Sequence, residues 1–149
     1  MQEAGVKIMF NTEVTPASVK EFRPDAVVVS TGAHPAPLNV PGADGSNVVQ
    51  AVDVITRKAK VGKEVVVVGG RYVGMEVALD LAKQGNRVSL VTRHELGRNV
   101  EYNIFMALRQ RLIEQGVYLY PNCGVAEINK KGVNVISNHT LVAIKEKIK

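Results

Sequence analysis

Apolar residues along the chain change period several times, and each period predicts an element. Residues 5–11, "GVKIMFN", and 24–32, "PDAVVVSTG", read as β-rich runs, the second a buried strand bounded by Pro24 and Gly32. Residues 33–47 carry too many prolines and glycines for an element and read as a connector. A short helix is predicted within 48–59. "EVVVV" at 64–68 has the composition of a fully buried strand. Val73, Val77, Ala78, Leu81 and Ala82 then recur at helical spacing, and Gly85 ends that helix. "RVSLVT" at 87–92 follows as a strand, completing a βαβ unit with parallel strands and a right-handed crossover. A second helix over roughly 100–115 shows Ile104, Phe105, Leu108 and Leu112 on one stripe and stops at Gly116. "VYLYPN" is another strand. "VAEI" and "VNVIS" flank a four-residue turn as a hairpin, and "TLVAIKEK" at 140–147 adds a third strand. The predicted fold class is α/β, a Rossmann-like parallel sheet with flanking helices and a small antiparallel meander.

The junction between "VVVV" and the first long helix reads "GGRYVG". This is almost the glycine-x-glycine-x-x-glycine turn that faces a dinucleotide's pyrophosphate with backbone N–H groups. Gly69 supplies the tight turn and Gly74 the close packing of helix on strand, but Arg71 occupies the middle glycine position. Its guanidinium could reach over the phosphates and pair with them, or fill the groove; the spacing does not choose. At the end of the next strand, where an acidic residue binds the ribose of NAD, stand Thr92, Arg93 and His94, with Arg98 near. Two guanidinium groups without a carboxylate favour NADP over NAD. An exposed basic loop, or a threonine or main-chain contact to NAD, is the alternative.

Composition narrows the class. The 149 residues are 46% hydrophobic without tryptophan, so aliphatic side chains fill one real core. Cys123 is alone, which excludes an intrachain disulfide, fits a cytoplasmic setting and reads as packing, not as a nucleophile. No apolar run approaches a membrane span and no secretory leader is read. The net charge of +5 lies partly in "KEKIK" and "NKKG" and lacks the interleaved aromatics of a nucleic-acid groove, though it suits an anionic cofactor. No metal-ligand set and no catalytic acid or base is read.

One internal comparison bears on domain organisation. Aligning residues 1–14 with 112–125 pairs Gly5 with Gly116, Asn11 with Asn122, and Glu3, Val6 and Val14 with identical residues. Each segment reads as a helix end, a glycine stop and a strand. The alternatives are coincidence, or the tail of one nucleotide-binding domain followed by most of a second.

"PDAVVVSTGAHP", "VPG" and "VVVVGGRYVGMEVA", in this order, resemble the C-terminal half of the flavin-dependent 2-enoate reductase and 2,4-dienoyl-CoA reductase family. These are relatives of old yellow enzyme with an added two-nucleotide, pyridine nucleotide-disulfide oxidoreductase-like module. The resemblance covers nearly the whole chain. It implies that Thr31, Gly32 and Ala33 meet FAD, and that Gly69, Gly70, Val73 and Gly74 hold NAD(P)H. It also implies that Tyr72 lies where an aromatic lid can sit by the nicotinamide, with Glu76 near the same end; packing or a solvated helix face is the alternative for both. The family's amino-terminal barrel with FMN, its iron–sulfur cysteines and the first flavin fingerprint do not match this chain. The expected organisation is therefore residues 1–48 as the tail of an FAD domain and linker, and 49–149 as an NAD(P)H-binding domain lacking its last strand. In one compact unit, residues 24–32 would dock beside the strand at 65–68. The chain is read as a fragment, inactive alone, whose partners are a nicotinamide nucleotide and the FAD and barrel domains of a parent reductase, with neither nucleic acid nor membrane. A disulfide-reductase-type parent and a non-catalytic Rossmann module are the competing readings.

Overall fold

The computed structural model describes residues 2–137 and 145–148, with side chains over residues 3–137. The chain divides into two units, Met1–His34 and Pro35–Lys149.

The first unit holds a 3-10 turn, Gln2–Ala4, and one helix, α1, Pro16–Phe22. α1 was not anticipated, because it has no apolar stripe to bury. Its ends account for it instead. Thr15 accepts from the Ser18 amide, Ser18 Oγ accepts from the Thr15 amide, and Pro16 brings its preset φ to the first turn. The strands expected at 5–11 and 24–32 are absent. Phe10 is 80% exposed and Val28 90%, with Val27 and Val29 also exposed. Residues 24–32 therefore do not form the buried strand expected of them. β-prone composition does not make a parallel strand unless a neighbour satisfies its backbone.

The second unit begins with the connector, which is packed rather than loose. The Pro41 carbonyl accepts from the Ile128 amide at 2.9 Å, and a Cβ on Gly42 would run into the Ile128 carbonyl. After α2 (Ala51–Ile55) come β1 (Glu64–Val68), α3 (Tyr72–Lys83), β2 (Arg87–Val91), α4 (Tyr102–Glu114) and β3 (Tyr118–Tyr120). β1, β2 and β3 form a parallel sheet in that order, with Val66 opposite Ser89 and Leu90 opposite Leu119. β4 (Cys123–Asn129), β5 (Gly132–Ser137) and β6 (Lys145–Ile148) form an antiparallel sheet with a bulge between Val125 and Glu127. The expected hairpin and third strand are thus present, although residues 140–144 of the latter lie outside the described residues.

The parallel sheet is the middle layer. Val88 and Leu90 of β2 pack with Met75, Ala78 and Leu81 of α3 and Leu108 and Leu112 of α4. One residue on, Val91 packs with Ile128, Val133 and Val135 of the antiparallel sheet. The period-2 alternation of a strand thus explains why "RVSLV" is apolar on both faces. Gly85 and Gly116 take φ of +87° and +70° just beyond α3 and α4. Asn86 then donates to the Leu81 carbonyl and Val117 to the Leu112 carbonyl, which closes both helices.

The internal comparison gains a backbone counterpart. Gly5 and Gly116 have φ of +72° and +70°, and Asn11 and Asn122 of +53° and +57°. Between Gly116 and Asn122 lies β3, which has β2 to pair with. Residues 6–10 have no neighbouring strand among the described residues, and no strand forms there.

Candidate nucleotide-binding site

β1 ends at Val68, and the chain turns at Gly69 with φ +116°, a conformation side chains other than hydrogen rarely tolerate. The Gly69 amide donates to the Val91 carbonyl at 2.8 Å, tying the turn to the end of β2. Gly70 is buried, and a Cβ there would lie 2.8 Å from the Thr92 side chain. Arg71 is the N-cap of α3 with φ −96°, so the backbone does not need the missing middle glycine. The Arg71 side chain is exposed and makes no capping hydrogen bond. The amides of Tyr72, Val73 and Gly74, which a helix cannot satisfy internally, are therefore left to an outside acceptor at the positive end of the helix dipole. A Cβ on Gly74 would collide with the Gly69 carbonyl. This close approach of helix to strand gives the turn its shape.

Tyr72 is half-buried and packs against the helix-side core. Its hydroxyl accepts from the Glu101 amide at 3.1 Å, so the structure gives it an anchoring role. Val73 and Glu76 are exposed on α3.

At the end of β2, Thr92 is buried. Its amide donates to Tyr120, its carbonyl accepts from Cys123, and its side chain lies against Gly70. Beyond it, Arg93, His94, Glu95 and Arg98 are exposed. Arg98 Nε lies 3.7 Å from Glu95 Oε1. This corrects the reading of a segment without a carboxylate: Glu95 stands between the two arginines and shares the charge of one of them. The segment is held in place. The His94 carbonyl accepts from Asn122 at 3.0 Å, the Gly97 amide donates to the Gly70 carbonyl at 2.8 Å, and the Glu101 amide meets Tyr72. A Cβ on Gly97 would overlap the Phe105 ring. The loop and the turn thus form one hydrogen-bonded assembly containing Gly69, Gly70, Arg71, Tyr72, Val73, Gly74, Thr92, Arg93, His94 and Arg98. Glu95, Gly97 and Glu101 were not singled out in the sequence. Glu101 carried a faint signal, a carboxylate immediately before an apolar-periodic helix.

The Glu101 carboxylate caps α4 by accepting from the Asn103 and Ile104 amides. These two bonds, the Asn103 one foremost, hold its pKa below the usual 4.5. Thr31, Gly32 and Ala33 lie in the first unit, exposed, with φ +80° at Gly32. Cys123 is half-buried at the start of β4. Among the described residues no three His, Cys, Asp or Glu side chains converge on a metal site, and no helix is long and apolar enough to cross a membrane. The free amides, the Gly69–Gly74 approach and the exposed basic loop fit a diphosphate with its adenosine ribose.

Comparison with known proteins supplies the family. The chain is 38% identical to cinnamate reductase of Clostridium sporogenes over 91 residues, 61% of this chain and 13% of that protein. It is 30% identical to NADH oxidase of Thermoanaerobacter brockii over 141 residues, 91% of this chain and 22% of that protein. A 2-naphthoyl-CoA reductase complex superposes with a TM-score of 0.80 at 26% identity, covering 99% of this chain and 22% of that one. The chain thus spans less than a quarter of the length of each. The model of the family described as pyridine nucleotide-disulphide oxidoreductase matches residues 1–148, so the chain belongs to this family of flavoproteins, whose cofactors are NADP or NAD together with FAD, as a relative of the 2-enoate reductases.

Proposed function

We propose that this chain is the NAD(P)H-binding part of a larger flavin-dependent reductase acting on a 2-enoate or 2,4-dienoyl-CoA-type alkene. The supporting observation is the turn itself: amides of residues 72–74 without a side-chain cap, behind a left-handed Gly69 and a Gly74 in contact with it. Those amides hold the diphosphate, and Arg71, exposed at the N-cap position before them, supplies a guanidinium to pair with it. Arg93, His94 and Arg98 receive the adenosine ribose and its 2′-phosphate where there is one. Val73 and Glu76 line the approach to the nicotinamide end. When both cofactors are bound, the nicotinamide supplies a hydride and FAD accepts it; this chain contributes binding and orientation. Thr31, Gly32 and Ala33 are assigned to the flavin side. The alkene substrate is supported by the 38% identity to a cinnamate reductase and by the order of the motifs at 24–35, 40–42 and 65–78.

Calorimetric titration of the purified chain with NADPH and NADH tests the site. Binding of at least one nucleotide at micromolar concentration is expected, weakening steeply with salt because charge carries part of the affinity. No heat and no change in nicotinamide fluorescence with either nucleotide would leave the Rossmann core as a scaffold alone. Incubation with NADPH and cinnamate should give no turnover, because the alkene site and the remainder of the flavin site belong to the rest of the parent enzyme.

A further inference from the structure

The end of the parallel sheet opposite the Gly69–Gly74 turn is basic. β1 and β2 start side by side at Glu64 and Arg87. α3 runs back over about 18 Å, so its last residue, Lys83, returns to the starts of those strands. The turn after α2 meets the same end. Arg57 Nη1 donates to Gln84 Oε1 at 3.0 Å, Asn86 Nδ2 to the Gly62 carbonyl at 2.7 Å, and the Arg87 amide to the Lys63 carbonyl at 2.8 Å. These bonds fix residues 57–63 beside residues 83–87. Segments 53–64 and 80–87 then gather six cationic side chains, Arg57, Lys58, Lys60, Lys63, Lys83 and Arg87, with three carboxylates, Asp53, Glu64 and Asp80. Glu64 is taken by Arg87 and Asp80 by Gln84. Lys58, Lys60, Lys63 and Lys83 are exposed, and among the described residues their ammonium groups have no hydrogen-bond or ion-pair partner. Beside them α2 exposes Val52 and Ile55, which are 50% and 54% accessible and one turn apart on the same helix face.

We propose that this end of the molecule is a docking surface for an acidic amphipathic helix of a partner protein. Its carboxylates meet the four unpaired lysines and its apolar face covers Val52 and Ile55. Charge complementarity sets the sign of the partner. The composition of the surface sets its class. Segments 51–64 and 80–87 contain no aromatic side chain on which a nucleic-acid base could stack. Asp53 lies between Val52 and Ile55 in the sequence, so a uniformly anionic lipid surface reaching those two side chains would be repelled there. A protein helix can place carboxylates opposite the lysines and a neutral residue opposite Asp53. The surface lies at the far end of α3 from the turn, so partner and nucleotide can be held together.

The test is fluorescence anisotropy of the 149-residue chain with a labelled helical peptide of Glu-Glu-Leu-Leu repeats, at low and at physiological ionic strength. Salt-sensitive binding is expected. The quadruple variant Lys58→Gln/Lys60→Gln/Lys63→Gln/Lys83→Gln should weaken it about tenfold, since four exposed pairs are lost together. Lys7→Gln/Lys20→Gln/Lys130→Gln/Lys131→Gln removes the same charge elsewhere and should leave the affinity within about twofold, because screening confines the attraction to the patch. Val52→Ser/Ile55→Ser should weaken binding about threefold or more through the lost apolar contact. Thermal melts accompany each variant, and the milder Lys58→Gln/Lys60→Gln, with a smaller loss expected, serves if the quadruple one melts early. Equal weakening by the two quadruple variants would show an effect of net charge and overturn the proposal. So would the absence of peptide binding, or tighter binding to phosphatidylserine vesicles or duplex DNA than to the peptide.

Discussion

At the residue scale, the site depends on how near two pieces of backbone come. A Cβ on Gly74 would meet the Gly69 carbonyl, a rigid atom that cannot rotate aside. Gly74→Ala is therefore expected to destabilise the fold by about 1–3 kcal/mol and to weaken nucleotide binding at least tenfold. Gly62→Ala, with nothing within 4 Å, serves as the near-neutral control. Chemical denaturation and calorimetry on the same samples check both parts. A Gly74→Ala chain as stable as its parent would mean that the approach is looser than described. The roles of Gly69 and Gly74 were legible in the sequence because each answers to local geometry. Those of Glu95 and Glu101 were not. An ion pair across a loop and a cap shared between two helices depend on how the loop folds back on the turn, which spacing alone does not encode.

At the element scale, legibility followed burial. β1, α3, β2, α4 and the β4–β5 hairpin all bury one or two faces, and their periodicity survives in the sequence. α1 buries nothing and rests on its capping box, so periodicity could not reveal it. The runs at 5–11 and 24–32 failed for the converse reason: their pattern is β-like, but no neighbouring strand completes it. The N-terminus of α4 carries a prediction in pH. Glu101 has its carboxyl pKa lowered by the Asn103 and Ile104 amides, so its contribution to stability is fully present above 4.5 and is lost as pH falls through the depressed folded value. Glu101→Gln keeps an acceptor but no charge. Thermal melts should show the wild-type chain more stable than Glu101→Gln at pH 7, with the gap narrowing below about pH 4. A gap that is constant across that range would show that the charge does not stabilise the cap.

At the scale of the whole molecule, stability and apolar exposure are divided unequally. Among the described residues, every buried hydrophobic one, from Val54 to Val135, belongs to the second unit. Within the first, Val6, Ile8, Met9, Phe10, Val14, Phe22, Val27, Val28 and Val29 are all exposed, and among its described residues only Val19 and Pro24 are even half-buried. Exposed apolar surface of that extent favours association and contributes nothing to a monomer's folding free energy. Removing residues 1–34 should therefore shift the thermal midpoint by no more than about 2 °C, well under what losing a single kcal/mol would produce in a domain of this size. The same deletion should reduce light scattering at high concentration and leave nucleotide affinity unchanged, because the turn and the basic loop both lie in the remaining unit. Limited proteolysis offers an independent reading, since exposed, extended backbone around residues 24–34 should be cut first and release a resistant core. A loss of ten degrees or more on deletion would show that the first unit carries folding energy that its exposed valines do not account for, and would return residues 24–32 to the role of a structural strand.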